Sequence, residues 1–358
     1  MKEFLPYLIT GPSAFAGCYL ANHILRRAAA RRGFLDMPSG RKMHKRPVPY
    51  GGGAGMYIAA AAALAALYLF WGPAFLYRTE ITAIVCGGAV IVLFGLYDDI
   101  LGSGAVQKLT AEAAAALIMY HAGFRIERIS APWAGSISLG GWGLAATIFW
   151  YWIMMNAINL IDGLVGLAAG VAGISALTIL AMSAGSGRPL AICIALITAG
   201  VCLGFLPHNF PPARQFMGDA GSLFLGFLLG SLTLLTSTKA PALLTLLIPL
   251  VAVGMPVFDA GHAFFRRIIR GAHPFRADTQ HFHHRLVGLG LSQKRAVLVM
   301  YYISAYLGVM AYVLSQAPPE LTVVVVILLG AGMFLAAENL TVLGKALQDR
   351  NEGRSHDK

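Results

Sequence analysis

The sequence predicts an all-α, polytopic membrane protein with about eleven transmembrane helices. Two observations carry this. Hydrophobic residues make up 57% of the 358-residue chain, and its mean hydropathy is +0.68. Charged residues make up only 12%, where a soluble chain of this size would carry roughly twice that fraction. A third observation points beyond the fold. Asp98, Asp99, Asp162 and Asp219 stand at the edges of apolar runs in a chain with only 16 acidic residues. An ionisable group in such a place is costly and marks a functional site by default.

A span needs about 20 apolar residues. In chain order the spans fall at 4–25, 51–71, 80–98, 106–122, 143–161, 164–184, 188–206, 221–238, 241–265, 295–316 and 320–343. The first begins at Phe4 with no cationic leader and reads as a retained helix, not a cleaved signal. The fourth is the weakest, since it carries Lys108 and Glu112. The ninth contains Pro249 and Pro256, so a break or kink is expected there. The loop 124–143 has short alternating runs around Gly135, which suits a small outer β-hairpin. Cys18, Cys86, Cys193 and Cys202 lie in apolar runs with no CxxC pair and read as small buried hydrophobes. No polar linker divides the chain, which reads as one membrane domain over 1–358.

Charge sets the orientation. With the N-terminus outside and the C-terminus inside, the inner segments hold 21 of the 27 Lys and Arg residues, at 26–46, 108, 214, 266–295 and 345–358. Positive-inside bias makes that face cytoplasmic. The formal charge of +11 is then a matter of topology and anionic membrane lipids, not nucleic acid.

Every polar cluster falls on that same face, in the loops 26–50, 98–108, 207–220 and 266–294 and at the end of the 143–161 span. Asn156, Asn159 and Asp162 are spaced three apart and line one helical face up to the membrane boundary. Helix–helix hydrogen bonding would explain the asparagines but not the aspartate. Asp98 and Asp99 point about 100° apart on a helix, so one can serve a metal while the other holds a cationic side chain. Lys108 could reach a phosphate, or could snorkel to the interface. Asp219 opens a span between Gly218 and Gly221. A helix starting there would offer backbone N–H groups to an anion beside the carboxylate; a simple N-cap is the alternative. His281, His283 and His284, with Arg285, could bind zinc or phosphate. No fourth metal ligand lies near, which favours phosphate. Arg266, Arg267 and Arg270 could clamp a diphosphate. His44 and Lys45 enter the second span through a Pro/Gly-rich segment and could touch phosphate, on the side of a lipid phosphate, or shape the site. Several carboxylates on one face suggest a hard divalent cation, and with it a phosphorylated substrate.

The motifs LDMPSGRKMHKRPVPYGG, YDDILG with Lys108, NAINLIDG, FLPHNF with FMGDAGSLFLGF, and RADTQHFHHRL occur in order over residues 35–290. In this the chain resembles the polyprenyl-phosphate N-acetylhexosamine-1-phosphate transferases of glycosyltransferase family 4, and in His281-Phe282-His283-His284 the UDP-N-acetylglucosamine branch. The resemblance implies transfer of a sugar 1-phosphate from a UDP-N-acetylhexosamine to undecaprenyl phosphate, with release of UMP. It implies Mg²⁺, or Mn²⁺, and a site at the cytoplasmic face of a bacterial inner membrane; a homodimer is compatible with it. By motif, Asp219 and Asp162 are the metal candidates, and Asp98, Asp99 and Asp162 the catalytic ones. Lys108, Asn156, Asn159, Arg266, His281, His283 and His284 would bind phosphates or the sugar nucleotide. Asn209 and Phe216 lie where the family holds uridine. Val165 departs from the pattern, standing where relatives carry a second aspartate. An ion-coupled transporter and an inactive or altered-donor paralogue are the competing readings.

Overall fold

The computed structural model describes residues 5–37, 46–131, 135–184, 187–236 and 282–356, with scattered positions between 250 and 261. The described residues are mostly helical. Helix α1 covers Leu5–Arg31. A two-residue strand β1 (Leu35–Asp36) pairs antiparallel with β2 (Val48–Pro49) before α2 (Gly52–Phe70). A 3₁₀ turn at Gly72–Tyr77 leads into α3 (Arg78–Leu101), and α4 covers Ala105–His121. Strands β3 (Arg128–Ala131) and β4 (Gly135–Ser138) form the expected hairpin, with Ile129 opposite Ile137. Then come α5 (Trp142–Ile161), α6 (Leu167–Ser183), α7 (Pro189–Asn209) and α8 (Gly218–Thr236). After these lie α9 (Phe282–Gly288), α10 (Gln293–Ser315) and α11 (Pro319–His356).

Ten of the eleven expected spans coincide with a helix; the span at 241–265 falls mostly outside the described residues. Among the described residues, seven helical segments are long and apolar enough to cross a membrane by length and composition. These do not include α1, α4 or α6. The last is apolar but has only 17 residues.

Helix α8 is the hub. Helices α2, α3, α5, α6 and α7 all pack against it, and 83% of its most apolar stretch is buried, against 11% for Pro319–Ala336. In lipid, helix contacts rest on close packing of small residues, because the tails are as apolar as the side chains. That rule sets the N-terminal turn of α8. A Cβ on Gly53 of α2 would lie 2.1 Å from the Gly221 nitrogen, and one on Gly95 of α3 would lie 2.3 Å from the Ala220 Cα. Both helices therefore touch the backbone of α8 beside Asp219. Cys18, Cys193 and Cys202 are buried as expected, but Cys86 is exposed. Its face of α3 is not covered by another described helix, so apolar surroundings there did not imply protein surroundings.

Candidate functional site

Four helix ends meet at one place: the C-terminus of α3, the N-terminus of α4, the C-terminus of α5 and the N-terminus of α8. Lys108, in the first turn of α4, extends to both neighbours. Its Nζ donates to Asp219 Oδ2 at 2.7 Å and to Asn159 Oδ1 at 2.8 Å. Asn159 Nδ2 donates in turn to Asp219 Oδ1 at 3.0 Å and to Ser222 Oγ at 2.9 Å. Lys108, Asn159 and Asp219 thus close a ring. Charge-assisted bonds of this kind are the strong ones, and they fix the Asp219 carboxylate in one orientation.

The start of α8 binds an anion, as its sequence suggests, but the anion belongs to the protein. Asp99 Oδ1 accepts from the Asp219 backbone N–H at 2.8 Å, and Asp99 Oδ2 from that of Ala220 at 3.4 Å. The partner of Asp99 is therefore a helix N-terminus and not the expected cationic side chain. The positive end of the helix dipole accounts for the choice. Asp98, one residue earlier, points elsewhere, and its carboxyl lies within hydrogen-bonding reach of Asp219. Two carboxyls in contact must share a proton or a cation.

Asp162 caps the C-terminus of α5 and is half-buried. Burial first, and then the negative charges of Asp219 and Asp99, push its carboxyl well above the usual range. It feels the cluster without a direct bond to it. Among the described residues no three His, Cys, Asp or Glu side chains form a metal-holding group. A magnesium site does not require three. That ion commonly takes one or two carboxylates and completes its shell with water and substrate phosphates. The adjoining Asp98 and Asp219 carboxyls fit that requirement.

Two further segments border the cluster. Asn209, at the end of α7, is 2% exposed. Its Oδ1 accepts from Gly166 N at 2.7 Å and its Nδ2 donates to Gln215 O at 2.9 Å. Both ends of the amide hold backbone, so Asn209 ties the turn after Asp162 to the segment before Asp219. Tyr301 of α10 supports the same turn by donating to Gly166 O at 2.5 Å. Gly166 has φ of 84°, a conformation that side chains resist. Val165 precedes it in that turn, half-buried.

The segment 46–53 joins the site through backbone pairing. Phe216 N donates to Pro49 O at 2.8 Å, Gly52 N to Phe216 O at 3.1 Å and Gly53 N to Met217 O at 3.1 Å. The Phe216 ring lies edge-on to Tyr50 at 6.1 Å. Burial, followed by the nearby carboxylate of Asp36, holds the Tyr50 phenol above its usual range, so it stays protonated. The two Gly-rich motifs, far apart in sequence, form one wall. Of the remaining candidates, His44, Lys45, Arg266 and His281 lie outside the described residues. His283 and His284 lie on α9.

Sequence reasoning missed one residue. Glu112, read only as a blemish in the fourth span, is fully buried and accepts from Asn156 Nδ2 at 2.7 Å. Its spacing of four from Lys108 was the available signal.

Comparison with known proteins decides the family. Residues 81–237 match the glycosyl transferase family 4. The chain is 35% identical over 316 residues to a probable undecaprenyl-phosphate N-acetylglucosaminyl 1-phosphate transferase of Bacillus subtilis, covering 88% of this chain and 87% of that protein. This chain belongs to glycosyl transferase family 4. It is also 35% identical to the decaprenyl-phosphate N-acetylglucosaminephosphotransferase of Mycolicibacterium smegmatis, over 85% of this chain and 80% of that one. To the undecaprenyl-phosphate alpha-N-acetylglucosaminyl 1-phosphate transferase of Escherichia coli K12 it is 29% identical, over 85% and 83%. The matched family region runs from α3 to the end of α8 and so contains Asp98, Asp99, Lys108, Asn159, Asp162 and Asp219.

Proposed function

We propose that this protein transfers N-acetylglucosamine 1-phosphate from UDP-N-acetylglucosamine to undecaprenyl phosphate, at the cytoplasmic face of a bacterial inner membrane. The observation that supports this best is the Lys108–Asn159–Asp219 ring, placed by four helix ends in a chain whose relatives bear the names of such transferases. A phosphate monoester has its second pKa near ~6, so the lipid phosphate is already largely ionised at neutral pH and needs no strong base. One of its oxygens attacks the sugar-bearing phosphorus of the donor. The new P–O bond forms as the bond to the UMP oxygen breaks, and UMP leaves with the electron pair.

Lys108, released from Asp219 when the donor binds, offers its ammonium to charge developing on the diphosphate. Asp98 orients the lipid phosphate or takes its residual proton. Asp99 fixes the start of α8 and so the position of Asp219. Asp98 and Asp219 would hold Mg²⁺, with Asp162 near; bound there, the ion supplies Lewis-acid stabilisation of the leaving UMP. The product would prime a cell-envelope polysaccharide.

A two-step route through an aspartyl phosphate is the chemical rival. Exchange of labelled UMP into UDP-N-acetylglucosamine without lipid would establish that route and refute direct attack. The transporter reading is weaker, because carriers bind their cargo near the bilayer midplane, whereas this cluster lies at helix ends. Incubation of the purified protein with polyprenyl phosphate, Mg²⁺ and a panel of UDP-N-acetylhexosamines tests the assignment, with UMP release from the N-acetylglucosamine donor expected. No UMP from any donor would leave the inactive-paralogue reading, which Val165 motivates.

A further inference from the structure

Glu112, fully buried, and half-buried Asn156 form a pair beside the ring. Glu112 sits one turn after Lys108 on α4 and is 0% exposed. Its Oε2 accepts from Asn156 Nδ2 at 2.7 Å, and its Oε1 has no hydrogen-bond partner. Asn156 Nδ2 also donates to Trp152 O at 3.0 Å, one turn back on α5. Trp152 Nε1 donates across to Leu109 O at 3.0 Å, which pins α5 to α4 at this level.

An asparagine amide has two N–H donors and one carbonyl acceptor. Both donors of Asn156 are spent, one on Glu112 and one on Trp152. Its Oδ1 accepts no hydrogen bond from any described residue. Asn159, three residues on along the same face, is saturated at both ends by Lys108, Asp219 and Ser222. The two asparagines are therefore chemically unlike. Asn156 is held with only an acceptor to offer. An acceptor cannot bind a phosphate oxygen, so the phosphate role that its motif suggests does not suit it. Retaining a buried carboxylate with one idle oxygen is costly, and a spectator in an apolar helix would be better replaced by Leu.

We infer that Glu112 is a positioning residue that locks Asn156 as a hydrogen-bond acceptor for the sugar part of the donor, a hydroxyl or the acetamido N–H. The inference rests on the proposed transferase activity and deepens it. Glu112 itself does not touch substrate.

The test uses the full chain in detergent or nanodiscs, with E112L, E112Q, N156A and the E112L/N156A double variant. Loss of one fixed hydrogen bond predicts that E112L raises the KM for UDP-N-acetylglucosamine about tenfold. The inhibition constant of UMP, which has no sugar, should not move. E112Q keeps a carbonyl for Asn156 and should stay within about threefold of wild type. In the N156A background E112L should add nothing, since it acts through Asn156. UDP-glucose as competitor separates the two donors. Weakened UDP-glucose binding in E112L assigns the hydroxyl, and unchanged binding assigns the acetamido N–H. Parallel loss of UMP and donor affinity, a shifted Mg²⁺ requirement, multiplying E112L and N156A effects, or an E112Q as impaired as E112L would each overturn the proposal. A wild-type protein that binds UDP-N-acetylglucosamine but makes no UMP would instead count against the transferase reading.

Discussion

Replacing Gly95 with alanine should damage the reaction without touching a reacting group. The added Cβ would lie 2.3 Å from Ala220 Cα, 2.4 Å from Ala220 N and 2.8 Å from the Asp219 carbonyl carbon. Carbon atoms in good contact sit about 3.5–4.0 Å apart, so α3 and α8 must separate by roughly 1 Å or more. All three obstructing atoms are backbone and cannot rotate away. Overpacking of this kind costs about 1–3 kcal/mol. The same displacement pulls the Asp219 N–H away from Asp99, now at 2.8 Å, and shifts Asp219 relative to Lys108. A misplacement of about 1 Å can cost roughly a hundredfold in rate. The assay is kcat/KM for UMP release by G95A, with thermal unfolding measured alongside. Gly141→Ala is the control, because its φ is −62° and nothing lies within 4 Å of the added Cβ. The reasoning is refuted if G95A keeps its melting temperature and stays within about threefold of wild-type kcat/KM.

Three other perturbations have defined outcomes. K108M removes the cation 2.7 Å from Asp219 and should lower kcat by about 10²–10³-fold, as loss of a transition-state donor does; K108R should not rescue it, since the guanidinium fork cannot copy a compact ammonium. Asn209→Ala strands the Gly166 N–H and the Gln215 carbonyl, so a loss of about 1–3 kcal/mol should appear in thermal unfolding, together with a raised donor KM. Asp162→Asn removes an ionisable carboxyl whose charged form burial and the Asp219 and Asp99 carboxylates disfavour. Without divalent cation it should raise the melting temperature while lowering turnover, and a fall in melting temperature would contradict the assigned electrostatics.

What the sequence disclosed follows from what lipid tolerates. Ionisable groups are so rare in these helices that Asp98, Asp99, Lys108, Asp162 and Asp219 stood out individually, and the three-residue spacing of Asn156 and Asn159 placed them on one face. The hairpin around Gly135 and ten of the helices were legible from hydropathy and turn residues. Pairings were not. Nothing in the order of residues says that Asp99 serves the backbone of Ala220 and not a lysine, or that Asn209 spends its whole amide on Gly166 and Gln215. The contact between Pro49 and Phe216 joins segments separated by six helices, and backbone pairing carries no residue-type signature. Glu112 was hidden for another reason. Hydropathy counts a buried acid as evidence against a span, whereas here it is part of what the span presents to its neighbour.

The most direct test of the account is UMP release by the purified wild-type protein from UDP-N-acetylglucosamine, with undecaprenyl phosphate supplied and Mg²⁺ present or chelated. The account predicts UMP and lipid-linked N-acetylglucosamine diphosphate in equal amounts, abolished by chelation and slowed about 10²–10³-fold by K108M. Absence of both products, or their formation at full rate in K108M, would contradict it.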